Sequence, residues 1–337
     1  MNFYTLTFKL WIKFIFIGSI LLALLIFSIN FIVDPYNITP YNLLNIKYKF
    51  ARDDRTEKIN YYSKQNKFDN IMLGSSRVYS INPKTVSKIL GGKTYNFGVG
   101  TATVEDILGI LLYLKHNNKL PKNLIVGVDF YTFNKDVPPN KYFLKNKELN
   151  FLSYQDYRED YLEKFFSFDA LRASIKTLNH HFFHKKQKPR FNTLGWGGFY
   201  QNYSTKVIDP NLVSVKKELH ENETLFFSNF TYKHIDPKRI TYMEEIKNIC
   251  NNNAINLYIF NTPLHPYTLN IIESNPNLAQ ALKEFIAYLS SFKHFTNFYH
   301  DYDLYSDLKN FNGATHTTSN AGDIIINKIN FTNDHKQ

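Results

Sequence analysis

Between Phe14 and Val33 the chain reads FIFIGSILLALLIFSINFIV, without a single charged residue. Crossing the hydrocarbon core of a bilayer takes about 20 helical residues, and lipid offers the backbone no hydrogen-bond partners outside its own helix. The run is longer than the apolar core of a typical signal peptide. No small-x-small cleavage pattern follows it before Asp34-Pro35, so the reading is an uncleaved anchor. Lys9 and Lys13 precede it, whereas Asp34 comes first after it and Lys47 only later. The positive-inside rule then puts residues 1–13 in the cytoplasm, 14–33 across the inner membrane and the rest in the periplasm. No second run of this kind follows, so the remainder is expected as one soluble domain behind a stalk or entry segment at 34–66.

Composition sets outer limits. With 44% hydrophobic and 17% aromatic residues among 337, the chain can build a sizeable core, which excludes disorder as its main state. The formal net charge is +11, but the lysines are scattered among asparagines and form no long basic stripe. This balance reads as a solvated surface suited to a membrane or an anionic polymer, and nucleic acid is not an expected partner. The single cysteine, Cys250, rules out an intramolecular disulfide and a cysteine zinc cage. It sits in a helical-looking stretch, as a small buried hydrophobe.

After residue 66, short apolar strands alternate with helical stretches. Phe68 to Leu73, Thr94 to Phe97, Asn123 to Phe130 and Ile255 to Asn261 read as strands, with Phe295 to His300 as a last one. Val104 to Lys115 has helical apolar spacing, Asp236-Pro237 is a cap and first-turn pair for a helix to about Asn251, and Pro276 to Ser291 and Ser319 to Asn330 follow as helices. Such repetition predicts an α/β fold, a parallel sheet flanked by helices, with chemistry at the strands' carboxyl ends. Between about 134 and 235 the periodicity fails. That stretch, which holds His180, His181, His184 and Gly195-Trp196-Gly197-Gly198, reads as an insertion over the sheet's carboxyl edge. An i, i+4 histidine pair at 180 and 184 has metal-binding spacing, but it lacks the glutamate of a zinc-protease motif. No metal or cofactor is expected.

Three fragments can carry chemistry. Gly74-Ser75-Ser76-Arg77 lies where the first strand enters a helix, so Ser76 is either a nucleophile beside backbone N–H groups or an ordinary helix cap. Asn96-Phe97-Gly98-Val99-Gly100-Thr101 follows the second strand, where a glycine can aim its N–H at an oxyanion. Asn312-Gly313-Ala314-Thr315-His316-Thr317 precedes the last helix, where His316 can act as general base. His265, after the Ile255–Asn261 strand, either lines the pocket or is structural.

In order and placement, these fragments resemble the SGNH hydrolase (GDSL-like) superfamily over about residues 68–130 and 255–330. That resemblance implies a three-layer sandwich over residues 67–332, with Ser76 as nucleophile and His316 as its base. The Ser76 N–H with that of Gly100, or alternatively Gly98, would form the oxyanion hole. Gly-Ser-Ser in place of Gly-Asp-Ser is similar to the membrane-anchored branch serving alginate O-acetylation and teichoic-acid D-alanylation. The implied activity is therefore acyl transfer, with acetyl the expected group, or ester hydrolysis on a cell-envelope glycan. An acyl donor and a membrane O-acyltransferase partner are implied in the same way.

Two positions depart from the pattern. Where the family has Gly-x-Asn, this chain has Gly127-Val128-Asp129, and an ionised Asp129 only accepts hydrogen bonds. It is expected to organise the site by accepting from backbone N–H groups or Arg77. Where the family has an aspartate three residues before the histidine, this chain has Gly313. Asn312, Asp301 or Asp303 are the candidates to orient His316, and a dyad held by a backbone carbonyl is the alternative. A catalytically silent glycan-binding or scaffold domain is the second reading that these departures admit.

Overall fold

A computed structural model of the chain describes residues 3–35, 43–46, 54–144, 146, 148–152, 165–183, 191–197 and 212–332. It divides into two compact units, one of residues 1–57 with 153–189, the other of 58–152 with 190–337.

The first unit is built on helix α1, Phe3–Val33, which contains the uncharged run and extends it toward the N-terminus. Over Phe8–Val33 it is long and apolar enough to cross a membrane. Asp34, with φ of +45°, closes the helix by donating its N–H to Asn30 O at 2.8 Å, and Pro35 cannot continue it.

The second unit opens within α2, Asp54–Ser63, and runs through β1 (Asn70–Leu73), a 3-10 turn at Ser76–Ser80, α3 (Pro83–Leu90), β2 (Thr94–Asn96), α4 (Val104–His116) and β3 (Asn123–Val128). Helix α5, Phe168–Phe183, returns to the first unit. The second unit resumes with α6 (Leu212–Phe227), α7 (Pro237–Asn252), β4 (Asn256–Asn261), α8 (Pro266–Ser274), α9 (Pro276–Leu289) and β5 (Phe295–Thr296). A hairpin of β6 (Phe311–Asn312) and β7 (His316–Thr317) leads into α10, Ser319–Lys328. The predicted insertion at 134–235 is therefore divided, its 153–189 stretch grouping with α1 rather than with the sheet. Residues 58–63, expected within a stalk, belong to the α/β core, where Tyr62 packs against Phe68, Tyr95 and Phe97.

The five strands form one parallel sheet in the order β2-β1-β3-β4-β5. Alternate side chains divide between two cores, as the strand period requires. Ile71, Leu73, Leu124, Val126, Val128 and Ile259 meet the layer containing α2, α4, α7 and α9. Met72, Ile125, Tyr258 and Phe260 meet α3 and α10 on the other face. An asparagine ladder pins the register at the amino edge: Asn256 donates to Asn123 at 2.8 Å, and Asn123 to Asn70 at 2.7 Å. The opposite, carboxyl edge is left to the loops.

The start of the insertion is fixed by a buried cluster. Arg239 of α7 pairs with Glu105 of α4 at 3.1 Å and donates to the carbonyls of Asn134 and Val137, each at 2.5 Å. This ties the chain leaving β3 to the helical layer beneath it.

Candidate active site

Gly74 ends β1 with φ of +145°, and a Cβ there would sit 2.6 Å from the Gly127 carbonyl on the adjoining strand. The chain can turn that close to β3 only without a side chain. The two serines that follow then take different tasks. Ser75 is the cap, its Oγ accepting from Arg77 N at 3.2 Å. Ser76 opens the 3-10 turn, and its Oγ lies 2.9 Å from His316 Nε2. The capping alternative thus falls to Ser75, and the residue paired with histidine is Ser76.

His316 is delivered by a hairpin anchored on three sides. Ser80 and Thr317 share a hydrogen bond of 2.9 Å, which ties the hairpin to the turn carrying Ser76. The Ala314 carbonyl accepts from the His265 N–H at 3.1 Å and from Thr268 Oγ1 at 2.8 Å, tying it to the start of α8. From α6, Glu218 accepts from Ala314 N at 2.7 Å and from Thr315 Oγ1 at 3.0 Å.

That last contact supplies what Asp301 and Asp303 were expected to supply. Thr315 Oγ1 is 3.2 Å from His316 Nδ1, and its proton is already directed at Glu218. The threonine oxygen is therefore free to accept from Nδ1–H, which leaves the Nε2 lone pair facing Ser76. The line runs Ser76, His316, Thr315, Glu218. Asp301 and Asp303 lie elsewhere: both pair with Lys328, at 2.7 and 2.6 Å, and Asp301 caps the turn at Tyr302–Tyr305. Asn312 stands opposite His316 in the hairpin register. Gly313 has a reason of its own, because its φ is +80° and a Cβ would lie 2.1 Å from Glu218 Oε2. The space left by the missing side chain is where the glutamate carboxylate sits. Sequence reading missed Glu218 and Thr315. Glu218 lies in the aperiodic stretch 97 residues from Thr315 and carries no local signal.

Asp129 is fully buried at the end of β3. Its Oδ1 accepts from Arg77 Nη1 at 3.1 Å and from the Thr262 hydroxyl, which follows β4. The Arg77 guanidinium stacks over the Tyr131 ring at 5.2 Å. The pair sets the electrostatics around His316, whose pKa is pushed down to about 4, first by burial and then by the Arg77 charge, with Asp129 acting in the opposite sense. The imidazole is neutral at physiological pH and able to take a proton.

The second fragment packs onto the first. Val99 N donates to the Gly74 carbonyl at 3.0 Å, so the turn after β2 is bonded to the residue before the serines. Gly98 N–H is used by Asn96 Oδ1 at 3.0 Å, so it is engaged within the turn itself. His265 caps α8 through Nδ1, which accepts from Tyr267 N at 3.1 Å, and burial lowers its pKa. Its part is to hold the hairpin. Beside Arg77 and Thr315, a cavity of about 10 Å³ is lined by Phe130, Tyr131, Leu264 and Ile272, room for one water-sized group. His180 is on α5, while His184 and Gly198 lie outside the described residues.

No family model, curated protein or solved structure matches this chain. The functional reading therefore rests on the site's own geometry and on the motif order in the sequence.

Proposed function

We propose that the chain is a membrane-anchored serine acyltransferase or esterase of SGNH type, acting on a cell-envelope polysaccharide and anchored by α1 with its N-terminus in the cytoplasm. The observation that carries this reading is the 2.9 Å contact between Ser76 Oγ and His316 Nε2. Ser76 attacks the acyl carbonyl while its proton passes to Nε2. The oxyanion is held by the Ser76 and Gly100 N–H groups, and His316 returns the proton to the leaving oxygen. A sugar hydroxyl or water then attacks the acyl-serine, with His316 again as base, and Ser76 is restored. Glu218, through Thr315, orients the imidazole and offsets the charge it acquires. A membrane O-acyltransferase that exports the acyl group is the partner this chemistry calls for.

A base with a pKa near 4 accepts protons weakly, so slow turnover is expected without the proper acceptor. Asp129 favours a second reading, a catalytically silent glycan-binding or scaffold domain, because an acceptor-only side chain stands where the family places a donor. Hydrolysis of p-nitrophenyl acetate by the full chain in detergent separates the two. Release of p-nitrophenol that is lost in Ser76→Ala supports the enzyme. Equal rates in both proteins, together with no labelling of Ser76 by a fluorophosphonate, support the silent domain.

A further inference from the structure

Helix α5 belongs to the same compact unit as α1, and one side chain shows how they are joined. Asn30, near the end of the apolar run, is fully buried. Its amide nitrogen donates to the carbonyls of Phe165 and Ser167 at 2.7 and 3.2 Å, and its oxygen accepts from Ser174 Oγ at 2.9 Å. An unpaired amide among lipid chains would be costly, so Ser174 of α5 and the carbonyls of Phe165 and Ser167, just before it, supply the partners that make Asn30 tolerable. Along α1, Ile26, Asn30 and Val33 are buried, whereas Phe8 to Leu22 are exposed on every side. At 1.5 Å per residue, these buried positions span roughly the last 10 Å of the apolar helix.

Helical spacing divides α5 into three faces. Ala170, Ser174 and Thr177 are small and buried. Asp169, Arg172, Lys176 and Asn179 form a polar face. Between them, Phe168, Leu171, Ile175, Leu178 and Phe182 recur at intervals of three and four, and this stripe is outward-facing: Phe168, Ile175 and Phe182 are 70%, 56% and 60% exposed. A soluble helix hides such a stripe.

We propose that α5 lies in the outer interface of the bilayer that α1 crosses, its Phe168–Phe182 stripe in the acyl chains and its polar face toward headgroups and water. This rests on the reading of α1 as a bilayer span. Lipid is the occupant because α5 is bonded to the apolar helix at Asn30, with the exposed Phe166 just before it against Phe27 at 5.0 Å, so the stripe is held at the end of the surface that α1 would give to acyl chains. An apolar face beside a polar one that carries Arg172 and Lys176 also suits an interfacial helix. The chain would then hold the membrane at two places, one through the bilayer and one along it.

The test uses the full chain reconstituted into phosphatidylcholine vesicles, with an environment-sensitive fluorophore at single introduced cysteines. Cys250 does not interfere, being buried with its thiol pKa pushed up to about 12. Ile175→Cys probes the stripe, Arg172→Cys the polar face and Ser19→Cys the middle of α1. The expected result is blue-shifted emission at 175, quenched by shallow nitroxide lipid and spared by aqueous iodide, with the reverse at 172. Iodide quenching at 175 overturns the proposal. So does protection from both quenchers, which would place a protein partner or a second copy on the stripe. Lipid quenching at 19 without it at 175 refutes the interfacial helix alone, whereas no lipid quenching at 19 refutes the span itself.

Discussion

Replacing Thr315 by valine removes one hydroxyl from the line that ends at Glu218 and keeps the side chain's shape. In the wild type that oxygen lies 3.2 Å from His316 Nδ1 and donates to Glu218 at 3.0 Å. Once His316 has taken the Ser76 proton, the ring is a cation, and Nδ1–H faces an acceptor backed by a carboxylate. The valine variant leaves that N–H facing a methyl group. A hydrogen bond to a charged partner contributes about 1.5–3 kcal/mol net. At about 1.4 kcal/mol per decade, kcat/KM should fall roughly tenfold to 150-fold. The loop itself should survive, because Glu218 still accepts from Ala314 N at 2.7 Å. The assay is kcat/KM for p-nitrophenyl acetate with the full chain in detergent, beside Ser76→Ala as the zero and thermal unfolding as the control for folding. A rate within about twofold of wild type, with Ser76→Ala inactive, would refute the argument that Thr315 and Glu218 orient the base.

Other expectations follow from the same geometry. Because the His316 pKa is held near 4, kcat/KM should stay flat as pH falls from 7 to 5 and drop with a midpoint near 4. Arg77→Gln removes a charge that lowers that pKa, so the acid limb of the pH–rate profile should move upward. Below pH 6.5 the unfolded chain binds a proton at this histidine that the native site refuses, so the His316 contribution to stability should be lost as pH falls from there toward 4, read by urea midpoints across pH. Gly313→Asp, which supplies the aspartate that the SGNH resemblance implies at this position, should fail to raise activity. It sets a Cβ 2.1 Å from Glu218 Oε2 at a φ of +80°, a strain of about 1–3 kcal/mol, visible as a lower melting temperature. Arg239→Met strands Glu105 in the core and should cost about 3–5 kcal/mol by urea denaturation.

Much of the scaffold was legible in the chain because its signals are local. Val104 to Lys115, Asp236-Pro237 and Pro276 to Ser291 declare helices by spacing and caps, and the apolar strands lie where they were expected. Ser76 and His316 were also legible, since each belongs to a turn chemistry tied to the end or start of a neighbouring element. Their contact was not: it closes 240 residues of separation, and it is made only where the hairpin after β5 folds back on the turn after β1, to which Ser80 and Thr317 bond it.

What the sequence by itself determined is therefore the alternation of strands and helices, the apolar helix near the N-terminus and the residue types at each strand end. The tertiary structure decided how those residues divide the work. It gave the cap to Ser75 and the imidazole to Ser76, tied Asp301 and Asp303 to Lys328, and filled the gap at Gly313 with Glu218 from a stretch without periodicity. It also gave Asn30 its partners on and just before α5. Apart from the Ser75 cap, which is local, each deciding contact joins groups distant in sequence, where burial makes an unpaired polar atom costly and the tertiary fold fixes which partner is within reach.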